Sequence, residues 1–317
     1  MYLNLLLGKN FGGDATASVP TTLVYRYTTS TDAPNTTLPT SATVQLPFES
    51  NINGHVDWGD GSASENFFAR YNEPRPSHTY ATEGDYTITV SPWRGSLDSI
   101  PNGTYDRIVL PKFRSGQVGQ NISEGFISIK IGDGFGRGKA GETITDSFRY
   151  AFRNMKRLKE VEFLATPRVQ QVTTERMFLG AGVSNDNYGT SNPNIKVRLE
   201  KFDLSNVYEY TQAFQGCGVV DVDIDKWNFN GLGNGAGMVG MFANYSPSPY
   251  SETKISNSDV YGNLLRSLRS YASNNSNIRN ITMNMGGSQF TDTLANRQAR
   301  QFLITLYGFT ITDGWVA

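Results

Sequence analysis

Cysteine, histidine and net charge are all scarce in this chain. A single cysteine, Cys217, among 317 residues excludes an internal disulfide and any metal site built from several thiolates. Two histidines, His55 and His78, leave little material for imidazole chemistry. No stretch approaches the roughly 18 consecutive apolar residues of a membrane span, so no membrane insertion is expected. The opening MYLNLLLGKN lacks the basic n-region, the full-length h-region and the small-residue cleavage site of an export signal. The expected location is therefore the cytoplasm, or an assembly built there. With 28 basic and 29 acidic residues the formal net charge is −1, and no general attraction to nucleic acid follows. The one basic run, RNMKRLK at 153–159, reads as a solvated helix face.

What fills the gap is Gly, Asn, Ser and Thr, the residues that supply turns and local side-chain-to-backbone bonds. Aromatic residues make up 12% of the chain, enough buried area to argue against general disorder. The expectation is a mainly β protein with short helices, in three segments. Residues 1–40 hold an apolar start, MYLNLLLG, and a Thr/Pro-rich connector, TTSTDAPNTTLPT. In the apolar start Leu3, Leu5 and Leu7 fall on one side of an extended segment, a pattern suited equally to adding a strand to a partner's sheet and to packing back on the protein's own sandwich; they are the candidate attachment residues. Residues 41–92 read as short alternating strands separated by turns, the pattern of a small β-sandwich. Residues 93–317 follow a different rhythm.

The second segment carries two linked motifs, VDWGDGS (56–62) and HTYATEGDYTITV (78–90). Glycines at 59 and 61 permit turn conformations that other residues resist, and Trp58, Tyr80 and Tyr86 are large enough to fill a small core. His78 reads as a structural hydrogen-bonding residue rather than a base, since no nucleophile accompanies it. This pair of motifs resembles the PKD-type immunoglobulin-like domain, through Trp58, Gly59, Asp60, Gly61, Ser62, His78, Thr79, Tyr80, Gly84 and Tyr86.

In the third segment a dipeptide recurs, as AF at 151–152, MF at 177–178, AF at 213–214 and MF at 241–242. The phenylalanines are spaced 26, 36 and 28 residues apart. The long interval contains NDNYGTSNPN (185–194), which reads as a loop insertion; without it the spacing returns to 26. Such a period points to stacked repeats. Short apolar alternations at 126–132, 158–163, 199–204, 219–224 and 277–283 are the candidate strands, one per repeat. FDLSNVYEYTQAFQGC (202–217) and VDIDKWNFNGLGNGAGMVGMF (222–242) resemble BspA-like leucine-rich repeats, which implies a leucine-rich-repeat solenoid. The terminal stretch from Phe290 reads as a helix and a last strand that cap it. Thr291 or Asp292 is the candidate helix cap, Leu294, Ala299, Phe302, Leu303 and Leu306 form the apolar stripe, and Gly308 ends the helix.

Two stretches invite a chemical reading. In DVDIDKWNF (221–229), Asp221, Asp223 and Asp225 alternate, but an EF-hand loop would need Gly where Lys226 stands. As a strand, 219–224 turns Val220, Val222 and Ile224 inward and sends Asp221 and Asp223 to solvent. IGDGFGRGKAGE (131–142) departs from the P-loop, with Asp133 at the first Gly position and Ala140 at the last. No GxSxG elbow, HExxH helix or Cys/His cluster appears, and Cys217 reads as a small buried hydrophobe. No catalytic residue, cofactor or metal is expected.

PKD-type and BspA-like modules in tandem imply, by resemblance, adhesive surface proteins of bacteria or structural proteins of bacteriophage particles. Lack of an export signal favours the virion: a non-enzymatic fibre, capsid decoration or appendage. The implied partners are other virion proteins, further copies of the chain, and a host-surface glycan or protein. A bacterial cell-surface adhesin is the alternative, and an enzyme acting on surface polysaccharide the third reading.

Overall fold

The computed structural model describes residues 19–29, 40–47, 52–69, 75–91, 125–132, 144–164, 169–183, 195–202, 204–233, 237–244 and 252–315. These residues are mainly β, with two α-helices among them. The first strand, β1 (Thr21–Tyr27), lies inside the segment 1–40 that the sequence assigns to attachment and connection. Its TTLVYRY alternation buries Thr21, Leu23 and Tyr25 on one side, as β-branched and aromatic residues do on a half-buried pleat. There follow β2 (Thr43–Gln45), β3 (Ile52–Asp57), β4 (Glu65–Ala69), β5 (Ser77–Thr79) and β6 (Gly84–Ser91). Strand β6 pairs antiparallel with the whole of β1 and also with β3, which pairs with β4. Strands β2 and β5 form a separate antiparallel pair.

Aromatics occupy the space beneath these strands. Trp58 and Tyr80 are buried, and Tyr86 lies parallel to Tyr80 with ring centroids 3.7 Å apart. The Tyr80 hydroxyl donates to the Trp58 carbonyl at 2.9 Å. At Gly59, φ is +79° and a Cβ would stand 2.4 Å from the Thr87 carbonyl oxygen, so the turn requires glycine.

From Phe126 onward the chain supplies β7 (Phe126–Ile131), β8 (Ile144–Ser147), β9 (Glu160–Phe163), β10 (Val169–Thr173), β11 (Ile195–Arg198) and β12 (Val219–Val222). After these come β13 (Gly237–Met238), β14 (Lys254–Ile255), α1 (Ser258–Asn274), β15 (Thr282–Asn284), α2 (Leu294–Tyr307) and β16 (Thr310–Thr312). Strand β7 pairs antiparallel with β1 and parallel with β9. Strands β11, β12 and β14 then add in parallel. The result is one nine-stranded sheet, ordered β14-β12-β11-β9-β7-β1-β6-β3-β4. In register across six of its strands stand Ile88, Leu23, Ile129, Val161, Val197 and Val222, every one of them buried. A single apolar row therefore crosses from the antiparallel half into the parallel half, and one hydrophobic core underlies both. Burying a residue of this size is worth ~1.5–3 kcal/mol.

Several expectations are corrected here. The strand expected at 199–204 is Ile195–Arg198, and Leu199–Phe202 is a turn closed by the Phe202 amide donating to the Leu199 carbonyl. Of 277–283 only Thr282 and Met283 are strand. RNMKRLK is a run of turns, not a helix, and it points inward as well as out. Met155 and Leu158 are buried, and Arg157 is 3% exposed with neither terminal guanidinium nitrogen hydrogen-bonded.

At the far edge α1 packs on β14 and on the short 3-10 turn Ile224–Lys226. The Asn257 side chain caps α1 by accepting from the Asp259 amide at 2.9 Å. Thr293, rather than Thr291 or Asp292, caps α2, and Gly308 ends it at φ +70°. The buried stripe of α2 is Asn296, Ala299 and Leu303; Leu294 and Leu306 are 63% and 62% exposed. A helix lying on one neighbour buries only a narrow stripe. The tail is pinned by Asp313, which accepts from Tyr261 Oη at 2.7 Å and pairs with Arg300 at 3.0 Å.

Candidate binding face

The recurring phenylalanines organise the parallel half. Phe152, Phe178, Phe214 and Phe242 are fully buried and stack face to face, with centroids 5.0, 5.1 and 4.9 Å apart. Around each one the backbone repeats the same conformation. The residue two before it is left-handed, at φ +65° for Tyr150, +54° for Arg176, +56° for Gln212 and +62° for Gly240. The residue two after the first three is left-handed as well: Asn154, Gly180 and Gly216.

Alternation of this kind aims every second amide at the next turn of chain. Tyr150, Phe152 and Asn154 donate to the carbonyls of Glu175, Met177 and Leu179. Arg176, Phe178 and Gly180 donate to Thr211, Ala213 and Gln215, and Gln212, Phe214 and Gly216 donate to Val239, Met241 and Ala243. The turns are thus hydrogen-bonded to one another as strands are in a sheet.

Left-handed backbone costs a residue with a Cβ roughly 1–2 kcal/mol. Glycine meets the need at Gly240, yet the three equivalent positions hold Tyr150, Arg176 and Gln212. Their side chains are linked. Arg176 Nη1 donates to the Tyr150 hydroxyl at 2.9 Å, and Arg176 Nε donates to Gln212 Oε1. Three guanidinium groups surround the Tyr150 ring, those of Arg149, Arg153 and Arg176, at 4.9, 5.2 and 5.8 Å from its centroid. Glu175 pairs with Arg149 at 2.8 Å and Arg176 at 3.6 Å. Arg153 is half-buried, makes no ion pair among the described residues, and leaves its Nε buried without a hydrogen-bond partner. Tyr208 and Val239 are exposed on the same turns. This column face offers an excess of cationic donors held on a stiff frame.

The outer face of the sheet is built differently, because its charges cancel across neighbouring strands. Lys130 reaches Glu160 at 3.1 Å and Glu162 at 3.4 Å, Lys196 reaches Glu160 at 2.8 Å, and Arg198 reaches Asp221 at 2.7 Å. Burial opposes ionisation of Glu160, but the bonds from Lys196 and Lys130 outweigh it and hold its carboxyl below the usual range.

The alternating aspartates diverge. Asp221 meets Arg198, and Asp225 accepts from Asn263 Nδ2 at 3.0 Å. Asp223, expected at the surface, is 4% exposed. Its carboxylate accepts from the amides of Leu199 and Glu200 and from Trp227 Nε1, at 3.0, 2.9 and 2.8 Å. Strand β12 stops at Val222, and the 3-10 turn beyond it breaks the two-residue alternation, which swings Asp223 inward. Each acid has its own protein partner, so the three do not share a site.

In the WGDGS turn, Asp60 accepts from the Ser62 amide at 3.0 Å and meets His78 Nε2 at 2.7 Å. Bonds from Ser62, with a smaller contribution from His78, lower the Asp60 carboxyl to about 2. His78 also stacks on Trp58, a structural placement. Cys217 is fully buried and donates to the Phe178 carbonyl at 2.9 Å. Burial pushes its thiol up to about 12, which removes thiolate reactivity.

Leu3, Leu5 and Leu7, the glycine-rich 133–142 and the insertion 185–194 lie outside the described residues. Sequence reasoning missed Tyr150, Arg176 and Gln212. Their signal was a fixed offset of two before each repeated phenylalanine, concealed by three different residue types. No family model, curated protein or solved structure matches the chain.

Proposed function

We propose that this protein is a non-enzymatic binding scaffold of a bacteriophage particle, a fibre, capsid decoration or appendage that exposes a surface for host adsorption. In this reading the antiparallel half is a PKD-type immunoglobulin-like sandwich and the parallel half a leucine-rich-repeat solenoid. The observation that carries the scaffold reading is the division of labour between two faces of a rigid stack. One face neutralises its own charges strand by strand, and the other holds Tyr150, Arg176 and Gln212 at left-handed positions where glycine would be less costly, with Arg149 and Arg153 gathered around the Tyr150 ring. The virion assignment is supported by the resemblance of WGDGS…HTY and of the FDLSNV…GC repeat to modules of phage structural proteins and adhesins.

Mass spectrometry of particles purified from a lysing culture of the source organism tests the placement. The expected result is this chain at stoichiometric abundance in the particle. Its recovery on intact cell envelopes, with none in particles, would favour the cell-surface adhesin. Deleting residues 2–7, which removes Leu3, Leu5 and Leu7, is expected to leave a folded protein that no longer joins the particle. Normal incorporation of the truncated chain would show that this segment is not the anchor.

A further inference from the structure

The basic cluster on the column face has a specific chemistry. Guanidinium groups are planar forks that pair two-pronged with carboxylate and phosphate. Arg149 and Arg176 are each steered by Glu175, by Tyr150 or by Gln212. Arg153 is not: its guanidinium rests over Tyr150 with no acidic partner among the described residues, and its Nε is buried and unpaired. That nitrogen is closed off from solvent, so an anion arriving from outside would meet the terminal guanidinium nitrogens instead, and its charge would offset the cost of holding a partly buried cation without a counter-ion. The surroundings are already fixed, because the left-handed column sets the backbone under Tyr150 and Arg176. Binding therefore loses little side-chain freedom.

We infer that Arg153, with Arg149 and Arg176 around Tyr150, forms a binding site for an anionic polysaccharide, a sugar polymer bearing carboxylate or phosphate groups. The inference rests on the binding-scaffold reading and gives that scaffold its ligand class. A net charge of −1 for the whole chain disfavours a general polyanion binder such as a nucleic-acid protein. The cationic excess is local, and a short anionic segment is enough to cover it.

The test uses the full chain, immobilised, with four probes at low salt: polygalacturonate for carboxylate, poly(glycerol phosphate) for phosphate, neutral dextran, and single-stranded DNA. The expected result is retention of one or both acidic glycans, no retention of dextran, and weakening as salt rises. Arg153→Gln should lower the affinity at least tenfold, Arg149→Gln should lower it severalfold, and Arg153→Lys should restore part of the Arg153→Gln loss. Lys226→Gln, which alters an exposed ion pair with Glu200 away from this cluster, should leave it unchanged. Thermal denaturation of each variant checks that it is folded; should Arg153→Gln unfold, Arg149→Gln and Arg153→Lys carry the comparison. Failure of the wild type to retain either glycan, equal losses from Arg153→Gln and Lys226→Gln, or equal affinity for DNA would overturn the inference. A chain found in particles that binds no glycan loses only this ligand, whereas a glycan-binding chain absent from particles loses only the virion placement.

Discussion

Asp223 is where the smallest scale decides most. The alternation of DVDID argues for solvent, and the alternation is sound up to Val222. What the sequence does not display is that the strand ends there and that the next carboxylate closes the turn at Leu199 and Glu200, 24 and 23 residues upstream. Such a bond depends on how two repeats stack, so no local pattern announces it. Replacing Asp223 with Ala strands three donors, and the expected loss of stability is about 3 kcal/mol, read from urea unfolding. A loss within 0.5 kcal/mol would mean that the carboxylate is dispensable. Asp60 offers a prediction in pH. Its carboxyl falls from 3.8 to about 2 on folding, so its contribution is present above about pH 4 and is lost as pH falls through 2. The carboxylate lies at the surface of the turn with its side chain 22% exposed, and solvent screening keeps the expected size under about 1 kcal/mol. Wild type should lose this increment of melting temperature between pH 4 and 2, and Asp60→Asn should lack it.

At the scale of elements, the recurring phenylalanine was the most legible feature of the chain. Its interval of 26–28 residues, once the insertion is removed, marks the turns that stack. Strand β1 was hidden for the opposite reason: TTLVYRY alternates well, but it has no motif, and its two partners, β6 and β7, are distant in sequence. Helix α1 was missed, although Tyr261, Leu264, Leu265, Leu268 and Ala272 recur at helical spacing behind an Asn cap. A narrower pattern misled at α2, where two exposed leucines were counted with the buried stripe. The Phe stack gives the test for this scale. Phe214→Ala empties a site between two aromatic neighbours and should cost about 3–5 kcal/mol. Tyr208→Ala, on an exposed side chain of the same turn, should change stability by less than about 0.5 kcal/mol. Chemical denaturation of the two variants side by side separates a packed column from an incidental alignment; equal, small effects would contradict it.

For the whole molecule, the consequence of β1 lying between β6 and β7 is mechanical. An antiparallel half and a parallel half share one sheet and one apolar row, so a ligand held on the column face would be presented by a single stiff body rather than by two beads on a string. Structures joined through a continuous core unfold together, while separately cored modules unfold apart. Differential scanning calorimetry of the wild type with Tyr25→Ala, in the antiparallel half, and Phe214→Ala, in the parallel half, tests this directly. The account predicts one transition in all three proteins, with calorimetric and van't Hoff enthalpies in agreement and the same peak lowered by either substitution. Two resolved transitions, each lowered by only one of the substitutions, would contradict it.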